Sequence, residues 1–170
     1  MGGLCSLKGR CRHIIIMILN VLAVCRRPSA QILKLSNEYQ KRLPSNFSLK
    51  FTYLTPSNNN QGVSQRKIEE AARLLKKIPK ASHLICLDCC GQQMSSGLLA
   101  KRLQVLRGGG KKITIVIGGA DGLDDSILSK SHENWSLSKL TFPHKLVQII
   151  LSEQIYRAWS ILEALPYHRA

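Results

Sequence analysis

Acidic residues are scarce in this chain: 10 Asp and Glu stand against 25 Lys and Arg, for a formal net charge of +15. Aromatic side chains make up only 5%, which excludes a protein that holds single strands mainly by stacking bases on rings. Long apolar runs are missing too. The nearest, Ile14–Val24, has eleven residues, against the roughly 20 that a membrane-spanning helix needs. With Lys8, Arg10 and Arg12 before it and Cys25 after it, that run has the outline of a signal-peptide core. The residues that follow are Arg26-Arg27-Pro28 rather than a small-residue cleavage site, so a buried first strand is the simpler reading. Residues 1–16 are then an N-terminal extension, or the product of an early start with Met17 as the true first residue. No internal repeat is visible, and low complexity is confined to Asn58–Asn60 and Gly108–Gly110.

The six cysteines form no disulfide framework, which fits a reducing cytosol. Cys86-x-x-Cys89-Cys90 has the spacing of half a zinc site but lacks a second Cys or His pair, so no metal is expected. These three cysteines are read as small hydrophobes buried at the end of an apolar strand.

With 170 residues and 44% hydrophobic content, the chain suits one ordered α/β domain, residues 17–170. Its charge is lopsided. Residues 1–80 hold 15 Lys/Arg and 3 Asp/Glu, a net +12, whereas residues 81–170 hold 10 and 7, a net +3. A basic half of this kind suits a polyanion, nucleic acid first, because phosphate neutralisation by Lys and Arg gives affinity without sequence preference. A solvated, solubilising surface is the plainer alternative.

Strands are predicted over Ile18–Val24, Phe47–Leu54, His83–Leu87, Ile113–Ile117 and Ser136–Leu140. Helices are predicted over Pro28–Leu43, Ser64–Ile78 (capped by Ser64), Ser95–Leu106, Asp124–Ser131 and Lys145–Leu165. The alternation means a parallel sheet with helices on both faces. The last helix is apolar nearly all round from Leu146 to Leu151, as for a helix buried on more than one side. Ile113–Ile117 stops at Gly118-Gly119, and the loop after the last strand ends in Pro143-His144, both feeding helices. Two such ends suggest a ligand crevice at the carboxyl edge of the sheet.

Four ordered blocks narrow this further: Gly118-Gly119-Ala120-Asp121-Gly122, Trp135 to His144 (WSLSKLTFPH), Glu153 to Ala158 (EQIYRA) and Pro166-Tyr167-His168-Arg169. In these the chain resembles RlmH, the bacterial large-subunit ribosomal RNA pseudouridine N3-methyltransferase family of the SPOUT class, over about nine tenths of its length. The resemblance implies an α/β knot, with a C-terminal segment threaded through a loop. It further implies S-adenosyl-L-methionine as methyl donor, a cytoplasmic homodimer, and methylation of a pseudouridine in large-subunit ribosomal RNA. A non-catalytic ribosome- or RNA-binding protein of the same fold, or a SPOUT methyltransferase of different RNA specificity, are the alternatives. The chain departs from the family's pattern at Cys25, where Gly is usual, near Leu165, where Gly or a small residue is frequent, and at Leu87-Asp88-Cys89-Cys90-Gly91, a variant of Leu-Asp-x-x-Gly.

The resemblance also assigns residues. Leu87, otherwise an ordinary core leucine, matches the first cofactor contact. Gly118 matches the second, where a missing Cβ admits close approach and positive φ. Leu137, Ser138, Lys139, Leu140, Thr141 and Phe142 match the main contact, a loop that reads adenine with its backbone. His144, Arg157, Tyr167, His168 and Arg169 are the candidates for RNA binding and chemistry. Pseudouridine N3 must shed a proton, so a base and a cation for the developing anion are needed: His144 for the first, an arginine for the second, and Tyr167 to stack on the flipped base.

Overall fold

Ile113–Ile117 is β-branched at every position and buried at every position, and it forms the middle of the sheet. In the computed structural model, which describes residues 16–58 and 60–168, the strands are Met17–Val24 (β1), Phe47–Leu54 (β2), His83–Gln93 (β3), Ile113–Ile117 (β4) and Glu133–Ser136 (β5). The helices are Ala30–Gln40 (α1), Val63–Lys77 (α2), Ser96–Gly108 (α3), Asp125–Leu128 (α4) and His144–Leu162 (α5), followed by a 3-10 turn at Pro166–His168. The order is β2-β1-β4-β3-β5 and all pairs are parallel.

Strand pleating sends alternate side chains to opposite faces, and each face has its own helices. Leu19, Val21, Ile113, Ile115 and Ile85 pack with Leu99 and Leu103 of α3 and with Leu151 and Ile155 of α5. Leu22, Val24, Val116, Leu84 and Cys86 pack on the other face with Ala71 and Leu74 of α2 and Ile127 of α4. The expected α/β architecture with both faces covered is present.

Several boundaries differ from expectation. Helix α2 opens from Gly62 without a side-chain cap, so Ser64 lies inside the helix rather than at its start. Helix α5 also buries polar side chains, Gln148, Ser152 and Ser160. Ser36 of α1 meets Ser152 at 2.7 Å, and the Ser152 hydroxyl donates to the Gln148 carbonyl, so this pair of helices shares a polar seam, in which the buried Gln148 Oε1 has no hydrogen-bond partner. The fifth strand is Glu133–Ser136 and ends where Ser136–Leu140 was expected to begin. Its polar start was not legible as strand because the partners of Glu133 are remote in sequence. The carboxylate accepts from Arg102 of α3 at 2.8 Å through both Nε and Nη2, and from Trp135 Nε1 at 3.0 Å, and it pairs with His83 of β3.

Burial raises the Glu133 pKa, but the bonds from Arg102, His83 and Trp135 outweigh it and hold the carboxyl down at about 2. A depressed folded pKa contributes stability that is complete above the ordinary carboxylate range and is lost as pH falls towards 2. Glu133→Gln is expected to lower Tm by about 4–8 °C at pH 7, with the gap to the parent closing as melts are repeated from pH 4.5 down to pH 2.5. Parallel acid limbs for the two proteins would show that this carboxylate does not anchor β5.

Helix α5 ends in a Schellman motif: Leu165 N–H donates to the Ser160 carbonyl at 2.8 Å and Ala164 N–H to the Ile161 carbonyl at 3.2 Å. The left-handed position of that motif is held by Ala164, at φ 53°, where a Cβ is unfavourable by about 1 kcal/mol. Ala164→Gly is therefore expected to raise Tm by about 1–3 °C; a lower Tm in thermal melts would contradict the assignment.

Candidate active site

The carboxyl ends of β3, β4 and β5 open into a crevice of about 360 Å³, within the usual range for a small-molecule site. Three segments make its walls. The first is Leu87 to Cys89, midway along β3 where its pairing with β5 breaks. The second is Ile117 to Gly122, where β4 stops. The third is Trp135 to Phe142, with His144 and Val147 from the first turn of α5.

Gly118 and Gly119 are held by contacts that leave no room for a side chain. A Cβ on Gly118 would stand 2.7 Å from the Gly122 carbonyl carbon and 2.9 Å from the Leu123 nitrogen. The requirement at Gly118 is thus space rather than backbone angle, since the positive φ of this turn belongs to Gly122, at 83°. Gly119 lies against the buried carboxylate of Glu70, whose Oε1 accepts from the Ser57 amide at 2.9 Å. Arg66 binds Asp121 at 2.8 Å, so α2 grips the turn from the opposite face. These anchors, 55 residues apart in the case of Arg66 and Asp121, carried no signal in the sequence.

The loop after β5 fastens itself. Ser136 Oγ donates to the Ser138 carbonyl at 3.0 Å, and Ser138 Oγ accepts from the Leu140 amide at 2.9 Å. The Ser138 side chain is committed to the loop's own shape, which leaves the backbone and the apolar side chains of Leu137, Leu140 and Phe142 to face a ligand. Leu140 is 72% exposed, an apolar residue standing uncovered at the crevice. Lys139 is exposed and does not line it.

Of the residues expected at the site, Leu87, Gly118, Leu137, Ser138, Leu140, Thr141, Phe142 and His144 all border the crevice. His144 Nδ1 is buried without a hydrogen-bond partner. Arg157 and Tyr167 are elsewhere. Arg157 pairs with Glu153 at 2.6 Å and its guanidinium stands 5.0 Å over the Tyr167 ring. The Tyr167 hydroxyl donates to Glu153 at 3.2 Å, and the ring meets Tyr156 edge-on at 4.7 Å. Burial and the Glu153 charge push the Tyr167 phenol up to about 12, so it stays protonated at neutral pH. The Arg169 assignment lies outside the described residues, as does the His168 side chain.

The cysteine expectation is met only in part. Cys86 is buried in the core, and burial pushes its thiol up to about 11. Cys89 and Cys90 are exposed instead, because β3 loses register with β5 between Leu87 and Gln92 and the intervening residues swing out.

Comparison with known proteins places this architecture. The family described as "Predicted SPOUT methyltransferase" matches residues 17–168. The chain belongs to the SPOUT methyltransferase family. Among its relatives, the Ribosomal RNA large subunit methyltransferase H of Hydrogenovibrio crunogenus is 43% identical over 134 residues, covering 78% of this chain and 86% of the relative. The protein of the same name from Coxiella burnetii is 39% identical over 155 residues, 90% of this chain and 100% of its own length. In fold, this SPOUT chain is similar to a probable methylase family protein from Haemophilus influenzae Rd KW20, with a TM-score of 0.52 at 12% identity over 92% of this chain and 72% of that one.

Proposed function

We propose that this chain transfers a methyl group from S-adenosyl-L-methionine to N3 of a pseudouridine in large-subunit ribosomal RNA, working in the cytoplasm as a knotted homodimer. The observation that carries the reading is the crevice at the carboxyl edge of the sheet, walled by the backbone of Gly118 and by the loop Leu137–Phe142. The residues present fit the cofactor: a cradle that a single Cβ would fill supplies close backbone approach at Gly118. Leu87, Leu137, Leu140 and Phe142 supply apolar walls for an adenine, with backbone groups of Ser138 and Thr141 available to its polar edge. When bound, S-adenosyl-L-methionine supplies an electrophilic methyl group on a sulfonium.

The chain's own residues do the rest. His144, which borders the crevice, takes the imide proton directly or through water. His144 and Arg157 are thirteen positions apart on one helix, about 20 Å at 1.5 Å per residue. Arg157 and the neighbouring Tyr167 therefore reach a crevice only from a second copy of the chain, which is the physical argument for the homodimer. Glu153 already neutralises Arg157, so the cation opposite the developing imide anion is assigned to Arg169, with Tyr167 against the target base. Among the described residues no helix is long and apolar enough to cross a membrane.

Labelled methyl transfer to a ribosomal RNA hairpin containing pseudouridine is expected, with little or none to the same hairpin containing uridine. Equal labelling of both would favour a different specificity, and labelling of neither, on ribosomes as well as RNA, would favour a binding protein.

RNA affinity should depend on salt through exposed lysines. Arg73 is unsuited to that role because it clamps the loop before α2, donating to the Thr55 carbonyl at 2.6 Å and to Ser57. Lys76 and Lys77 are exposed on the last turn of α2. Replacing both with Ala is expected to lower the slope of log affinity against log salt by about 1–2 and to leave cofactor affinity alone. An unchanged slope would mean that this end of α2 is merely solvated.

A further inference from the structure

Successive side chains of a strand point to opposite faces, so two adjacent residues seldom bring their tips together. Midway along β3 they do. The register break between Leu87 and Gln92 frees Asp88, Cys89 and Cys90 from the ladder. Gly91 pins the far end of the bulge against β5, where a Cβ would stand 2.6 Å from the Trp135 carbonyl carbon. Between these points the Cys89 and Cys90 sulfurs lie 3.8 Å apart, and Asp88 Oδ1 lies 3.9 Å from the Cys89 sulfur. One ligand atom from each of the three lies within 4.8 Å of the others.

That spacing discriminates between two fates for a thiol pair. Two sulfurs at about 2.3 Å from one tetrahedral zinc ion stand about 3.8 Å apart, and a carboxylate oxygen at about 2.1 Å would stand about 3.6 Å from either of them. A disulfide would need the sulfurs at about 2.05 Å, and adjacent Cα atoms, about 3.8 Å apart, are closer than a relaxed disulfide allows. The sulfur pair has the spacing of a chelate, and the Asp88 oxygen closes on it with a shift of about 1 Å or less. Two sulfur donors select a soft or borderline cation over magnesium or calcium. Both cysteines are exposed, so an ion can enter, and Cys89 also lines the cofactor crevice.

We propose that Asp88, Cys89 and Cys90 form a site for one soft divalent cation of the zinc and cadmium class at the mouth of the crevice, and that an ion held there excludes the cofactor. Binding displaces the thiol protons to solvent and leaves a fourth coordination position for water. The exclusion rests on the reading of the crevice as the S-adenosyl-L-methionine site; the ion site does not.

Cadmium titration of the reduced full-length chain, read by thiolate-to-metal charge-transfer absorption, tests the site. Wild type should bind one equivalent more than Cys90→Ser, the other cysteines contributing equally to both, and Asp88→Asn should weaken that equivalent at least tenfold. Cofactor affinity measured by calorimetry should fall at least tenfold in wild type when zinc is added, and should not move in Cys90→Ser or with magnesium. Equal cadmium stoichiometry in wild type and Cys90→Ser would overturn the site. A filled site with unchanged cofactor affinity would overturn the exclusion. Absence of cofactor binding in the metal-free wild type would instead count against the methyltransferase reading, with the cadmium titration still deciding the site.

Discussion

Gly118→Ala is expected to lower affinity for S-adenosyl-L-methionine at least a hundredfold while the protein still folds. The new methyl group would stand under 3 Å from three backbone atoms of Gly122 and Leu123, none of which can swing aside as a side chain tip does. The turn Gly118–Gly122 must move, and that turn is one wall of the crevice. Its outward movement is limited by Glu70 behind Gly119 and by the Arg66–Asp121 pair, so the displacement goes into the cavity. The cost to folding is that of modest overpacking at an edge, about 1–3 kcal/mol. Calorimetry with the purified variant checks this, alongside a thermal melt. A folded variant of unchanged cofactor affinity would place the cofactor elsewhere.

Removal of the tail should have the opposite signature. Truncation after Leu165 is expected to reduce methyl transfer by orders of magnitude and to leave cofactor affinity nearly unchanged. Tm should also fall by a few degrees, because Tyr167 packs on Tyr156 and donates to Glu153, contacts that a polar chain end was not expected to make. The two defective proteins then test the proposed homodimer. A Gly118→Ala chain keeps its tail, and a truncated chain keeps its crevice. If the tail of one copy serves the crevice of the other, mixing the two inactive proteins with subunit exchange should restore up to about a quarter of wild-type activity, since half of the dimers are mixed and each has one complete site. No recovery in a mixture shown to exchange subunits would mean that crevice and tail must belong to one chain, or that the tail is purely structural.

Much of this arrangement could be read from the residues. The unbroken β-branched run Ile113–Ile117 and the Gly118-Gly119 stop marked the central strand and the crevice edge, because a strand buried on both faces has a local signature. The loop Leu137–Phe142 was legible only through family resemblance; its alternation alone pointed to a strand. What escaped is non-local. Glu133 reads as a surface acid until Arg102 and His83 arrive from other elements. The exposure of Cys89 and Cys90 follows from a register slip that no pattern in HLICLDCC encodes. The need for glycine at position 118 was read from space and from positive φ together: the space is limited by the approach of Gly122, four residues on, and the positive φ lies at Gly122 instead.

The proposed reaction places a methyl group on N3 of a pseudouridine in large-subunit ribosomal RNA in this crevice. Mass spectrometry of that RNA from a strain lacking the gene tests it most directly. The account predicts one pseudouridine lighter by a single methyl group, with the methyl restored by the wild-type gene and not by Gly118→Ala. A fully methylated pseudouridine in the deletion strain, or full restoration by Gly118→Ala, would contradict it.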